Sequence, residues 1–137
     1  MKNKIVLDFC IWDFDDITPE VITQILDIQP VQVYIKGQKT RPNLALINEQ
    51  NGWRMTSGLD EYTSFEEQMN SLLDILEQKH ELLKPLCDKY ICEFSCALFI
   101  AKSRKESTPW VHLNSRYNRF IKELNIEFDI DIYLLPG

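Results

Sequence analysis

Three segments of this 137-residue chain place apolar residues at every second position, at residues 4–12, 91–102 and 126–133. This period of two is typical of β-strands that bury one face. A strand buried on both faces, as in a doubly wound parallel sheet, is apolar at nearly every position. The pattern therefore predicts a sheet that helices cover on one side only.

Helical spacing and capping residues predict the layer that covers this sheet. Four helices are expected, and the third contains a proline at which we expect a kink or a restart. Their signals are Thr18-Pro19-Glu20 for the first, the overlapping capping boxes Thr63 with Glu66 and Ser64 with Glu67 for the second, Pro85 within residues 81–88 for the third, and Asn114 or Ser115 for the fourth.

The middle of the chain predicts two further strands. Residues 31–36 alternate and end at Gly37, and Asn51-Gly52 is typical of a hairpin turn leading into residues 53–56. The element order is then βαβ, a hairpin-like insert, αβ and αβ. It predicts one domain over residues 1–137, an α+β two-layer sandwich of ferredoxin-like type with a mostly antiparallel or mixed sheet.

The order of several short motifs resembles a known family. Residues 15–23, residues 26–30 and Lys36-Gly37 are similar to the N-terminal signature of a bacterial family catalogued as domain of unknown function 4279. Trp53, the Leu72-Leu73 helix and residues 129–133 resemble its later landmarks. The resemblance covers nearly the whole chain and implies a bacterial source and a single α/β domain. It brings no catalytic residues.

Cysteine placement and hydropathy bear on the compartment. Cys92 and Cys96 would stand roughly 13 Å apart on one strand face, too far for a disulfide or a shared metal. We therefore expect Cys10, Cys87, Cys92 and Cys96 to be buried free thiols. No apolar run is long enough to span a membrane, and Asp8 interrupts the N-terminal apolar stretch. The expected location is the cytoplasm.

Charge points to a protein partner rather than to a reaction. The 15 basic and 21 acidic residues give a net charge of −6, which argues against a free-standing nucleic-acid binder. Phosphate-loop and serine-triad motifs are absent, so we expect neither an enzyme nor a cofactor. Glu127, Asp129 and Asp131, with Tyr133 beside them, would form an acidic stripe on the last strand. We expect a non-enzymatic protein-binding module and, more narrowly, an immunity protein that neutralises a basic toxin.

Two other functions stay open. The cluster Asp13, Asp15 and Asp16 could supply oxygen ligands to a metal in a small metal-assisted hydrolase, although no known loop pattern surrounds it. The chain could also be a structural domain that forms homodimers through edge strands.

Overall fold

A computed structural model describes residues 2–102 and 105–136, and in this part of the chain five strands and four α-helices form. A 3-10 turn, Glu77–Lys79, joins the second helix to the third. In chain order the elements are β1 (Lys4–Trp12), α1 (Pro19–Leu26), β2 (Gln32–Tyr34), β3 (Gly52–Thr56), α2 (Phe65–Leu76), α3 (His80–Lys89), β4 (Ile91–Ile100), α4 (Ser115–Ile121) and β5 (Ile126–Leu134).

The strands form one sheet in the order β2-β3-β1-β4-β5. Strands β1 to β4 pair antiparallel with one another, which gives the ferredoxin-like arrangement in which β3 lies between β1 and β2. Strand β5 follows α4 and pairs parallel with β4. The sheet is therefore mixed, and the predicted α+β class is confirmed.

The helices pack on one face of the sheet, as the alternation predicts. Leu7, Phe9 and Ile11 of β1 are buried on this face, and the ring of Phe9 meets the ring of Phe94 edge to face at 5.4 Å. The buried apolar residues of α1, α2, α3 and α4 join the same core. Burial of large apolar side chains is the main term that stabilises such a layer.

Local capping explains where the helices begin. The Ser64 hydroxyl accepts a hydrogen bond from the Glu67 amide at 3.2 Å, so the structure uses the second of the two predicted capping boxes. Asn114 caps α4 in the same way. Thr18 stands at the N-cap of α1, but its side chain makes no capping bond. The helix restarts at the 3-10 turn Glu77–Lys79 and not at Pro85, where the sequence predicts a kink or a restart, since Pro85 lies inside α3.

The tight turn predicted at Asn51-Gly52 is wrong, although residues 53–56 form the predicted strand and pair antiparallel with β2. Gly52 is the first residue of β3 and pairs with Tyr34, so a long connection separates β2 from β3. Glycine is needed there because a Cβ atom would stand 2.3 Å from the Trp12 ring and 2.8 Å from Tyr34. Close approach of two aromatic rings, and not a turn, places a glycine at this position.

Strand β5 departs from the expected half-buried pattern. Its first residues reach the core, where Phe128 packs against Phe65 and Tyr117. Beyond them Ile130, Ile132 and Leu134 are 45%, 62% and 68% exposed, although they point to the same side of the sheet as the helices. Within residues 2–102 and 105–136, no helix covers the end of this strand, so its last apolar side chains stay largely exposed.

Two other sequence predictions have a structural outcome. The four cysteines are all free and buried, as expected. None of the helices in the described ranges combines the length and the apolarity needed to cross a membrane.

Candidate protein-binding face

The side of the sheet opposite the helices carries more acidic than basic side chains. We call this side of the sheet the open face. It consists of the residues of β1 to β5 that point away from the helices, because successive side chains of a strand point to opposite sides. Its acidic residues are Asp8, Glu93, Glu127, Asp129 and Asp131, and its basic residues in the strands are Lys4 and Arg54.

All four residues singled out on the last strand lie on this face. Glu127, Asp129 and Asp131 are exposed, and no helix of residues 2–102 or 105–136 lies over them. The ion pairs formed between described residues leave these three carboxylates unused. Tyr133 stacks on Phe99 at 5.0 Å between ring centroids, which places an aromatic surface at the end of the acidic row.

Glu93 of β4 joins the acidic row through cross-strand pairing. It stands opposite Glu127, and the carboxylate oxygens of Glu93, Glu127 and Asp129 lie within 4.8 Å of one another. Burial, together with a hydrogen bond to Asp129, raises the pKa of Glu93 to about 7. The Trp12 indole N–H donates to Glu93 Oε1 at 2.9 Å and partly opposes this rise. Near neutral pH, Glu93 is therefore still partly protonated.

This cluster of carboxylates can attract a cation in two ways. Oxygen ligands at such spacing are those that Ca²⁺ or Mg²⁺ uses, and the cluster is the one group of three or more ligating side chains that the described residues bring together. The same oxygens can accept hydrogen bonds from lysine or arginine of another protein. The neighbouring aromatic surface suits the second use, since aromatic residues are enriched in protein interfaces.

Asp8 and Arg54 form an ion pair at the centre of the open face. Arg54 Nη1 lies 3.1 Å from Asp8 Oδ2, and Arg54 Nε donates to the Tyr34 hydroxyl. Burial raises the pKa of Asp8 more than Arg54 lowers it. Within the described chain, Asp8 Oδ1 accepts no hydrogen bond. Arg54 of β3 thus binds side chains of the neighbouring strands β1 and β2, and none of the ion pairs between described residues joins it to β5.

A cavity of about 480 Å³ lies at the edge of β1 beyond the end of β3, and Asp8 is among its lining residues. The α2 residue Gln68 takes the place of the missing strand here. Its side-chain oxygen accepts from the Leu7 amide at 3.1 Å, and its nitrogen donates to the carbonyls of Ile5 and Thr63 at 2.7 and 2.9 Å. One buried amide therefore satisfies three backbone groups that would otherwise lack partners.

The cluster Asp13, Asp15 and Asp16 is not gathered into a ligand group. Asp16 is bound by the Lys89 ammonium and by the Tyr90 hydroxyl. Asp13 has a left-handed backbone conformation, and its amide donates to the Asn51 carbonyl. These contacts make the segment a turn between β1 and α1.

The comparison with known families decides membership. The model of the family described as Domain of unknown function (DUF4279) matches residues 3–135. The chain belongs to the DUF4279 family. Comparison of this DUF4279 chain with curated proteins and with solved structures gives no match.

Sequence reasoning missed several residues of the open face in this DUF4279 chain, chiefly Glu93, Trp12 and the Asp8–Arg54 pair. Glu93 had a usable signal, because the alternation in residues 91–102 already sets it opposite the buried Cys92 and Phe94. Its closeness to Asp129 depends on the pairing of β4 with β5, which local sequence does not encode.

Proposed function

We propose that this DUF4279 protein is a non-enzymatic binding module that docks a basic protein partner on its open face. The observation that carries the proposal is the exposed row Glu127, Asp129 and Asp131, which no described cation or helix of its own chain covers. We further propose the immunity type of this function, the neutralisation of a basic toxin in the bacterial cytoplasm.

Physical chemistry supports a role in recognition. A surface of one sign steers an oppositely charged partner and raises its association rate, and salt weakens the effect. The stacked pair Phe99 and Tyr133 supplies the kind of aromatic contact that anchors interfaces. Glu93 adds a carboxyl group that holds a proton near neutral pH, so a bound cation would displace that proton.

A charge-neutralised variant tests this proposal. The double variant Asp129→Asn/Asp131→Asn removes two charges from the row, and Glu81→Gln/Glu123→Gln removes two exposed charges elsewhere. The probe is a lysine-rich peptide, with a glutamate-rich peptide as the negative control. Association rates are measured by stopped-flow fluorescence at low and high salt.

We expect the Asp129/Asp131 variant to associate about threefold or more slowly than the wild type at low salt, and this difference to shrink at high salt. The Glu81/Glu123 variant should retain most of the wild-type rate. Equal slowing in both variants would show an effect of net charge alone and would refute the assignment of this face.

A further inference from the structure

Strand β5 forms the longer of the two edges of the sheet. Strand β5 is last in the strand order, and over its nine residues no strand in the described ranges pairs with its outer side. The opposite edge strand, β2, has three residues. Long edges in soluble proteins are usually blunted by charged side chains, proline or a bulge. The sequence of β5, IEFDIDIYL, contains no proline, and its charged side chains are all acidic, so they repel another acidic strand but not a basic one.

The two rows of side chains along this edge differ in chemistry. On the open face stand Glu127, Asp129 and Asp131. On the other side Ile130 and Ile132 are largely exposed, as is Leu134 at the end of the strand. A strand added here would place one row of its side chains against carboxylates and the other row against apolar groups.

We propose that β5 binds an extended segment of a basic partner as a sixth strand. The segment carries lysine or arginine at alternate positions, facing Asp129 and Asp131, and apolar residues between them, facing Ile130 and Ile132. Main-chain hydrogen bonds supply affinity, and the alternating side chains supply specificity. This inference rests on the proposed function and adds the mode of binding.

Charge argues against a second copy of this chain as the occupant. In an antiparallel pairing of two β5 strands centred on Ile130, Asp129 of each copy would stand opposite Asp131 of the other. Like charges directly opposite one another destabilise a strand pair. A basic segment replaces this repulsion with attraction.

The direction of the backbone groups in β5 follows from one hydrogen bond. The Leu135 amide donates to the Ile100 carbonyl of β4 at 2.9 Å. In a parallel ladder the residues alternate in direction, so Tyr133 and Asp131 also point to β4, whereas Ile130 and Ile132 direct their N–H and C=O groups outward. Proline at position 132 therefore removes an outward donor and leaves the ladder with β4 in place.

The experiment compares two variants at this position with two peptides. Ile132→Pro removes the outward N–H, and Ile132→Ala keeps this N–H while removing most of the side chain. The probes are a peptide that alternates lysine and valine and a peptide of the same composition with all lysines in one block. Dissociation constants are measured by fluorescence anisotropy, and circular dichroism checks that each variant is folded.

We expect the wild type to bind the alternating peptide about tenfold more tightly than the block peptide. Ile132→Pro should bind the alternating peptide about tenfold more weakly than the wild type does, which corresponds to about 1.4 kcal/mol of lost backbone hydrogen bonding. Ile132→Ala should lose less. A wild-type measurement that does not depend on variant folding uses the alternating peptide methylated at every second backbone nitrogen. Two such peptides are made, one methylated at the odd-numbered and one at the even-numbered backbone nitrogens. The peptide whose methylated nitrogens face β5 should lose its preference over the block peptide.

The possible outcomes separate the two proposals. If Ile132→Pro and both methylated peptides bind as well as their parents while Asp129→Asn/Asp131→Asn weakens binding, strand addition is wrong and the docking function stands. If the charge variant also binds normally, the docking function fails. If wild type dimerises in analytical ultracentrifugation and Ile132→Pro abolishes the dimer, the edge belongs to a second copy and the proposed occupant is wrong.

Discussion

Replacing Glu93 by glutamine should stabilise the protein at alkaline pH and have little effect at acid pH. In the folded state the pKa of Glu93 rises from 4.5 to about 7, a difference of about 2.5. At 1.36 kcal/mol per unit this corresponds to at most about 3.4 kcal/mol. Glu93 is only half-buried, so screening by solvent reduces the expected effect to about 1–2 kcal/mol.

The sign follows from proton linkage. Because the folded protein holds this proton more tightly than the unfolded chain, the contribution of Glu93 to stability is present in full below about pH 4.5. It is lost as the pH rises through about 7, where Glu93 ionises beside Asp129. Glutamine carries no ionisable proton, and its side-chain oxygen still accepts from the Trp12 indole.

Urea unfolding followed by circular dichroism at pH 4.5 and pH 8 measures the effect, with Glu123→Gln as a control on an exposed site of the helical side. We expect Glu93→Gln to exceed wild type by about 1–2 kcal/mol at pH 8 and to match it within about 0.5 kcal/mol at pH 4.5. The same stability difference at both pH values would refute the explanation that Glu93 has a raised pKa in the folded state.

Two further substitutions test the supports of the open face. Arg54→Met leaves the Asp8 carboxylate buried without its ion-pair partner and should lower the unfolding free energy by about 3 kcal/mol at pH 7. The loss should be smaller at pH 5, because Asp8 takes up a proton. An equal loss at both pH values in urea unfolding would contradict this. Gln68→Leu keeps a side chain of similar volume but leaves the Leu7 amide and two carbonyls without partners. We expect the unfolding free energy to fall by about 2–3 kcal/mol and the Leu7 amide to exchange hydrogen faster. Unchanged exchange at Leu7 would count against the role of Gln68 at this edge.

Local sequence patterns were sufficient for most of the fold. The period-two alternation located β1, β4 and β5, and the capping residues located the starts of α2 and α4. These features are set by neighbours within a few residues, which is why the sequence displays them. The turn predicted at Asn51-Gly52 was wrong because the residues that require a glycine there, Trp12 and Tyr34, lie far away in the chain.

Of the candidate site, the sequence predicted only the residues that lie on β5. Asp129 and Asp131 share a face by alternation alone, and the structure places them there. Glu93 enters the cluster only because β4 pairs with β5 in one particular register. The exposure of Ile132 depends on how far the helices extend over the sheet, a property of the assembled domain.

Because β5 lies at the margin of the sheet, folding places little constraint on the residues at its end. The first four strands and the helices already supply most of the buried core, and the distal half of β5 adds little buried surface to it. Substitutions at exposed positions such as 130–134 usually change folding free energy by no more than about 0.5 kcal/mol. The end of β5 can therefore accept substitutions while the scaffold of this chain stays intact.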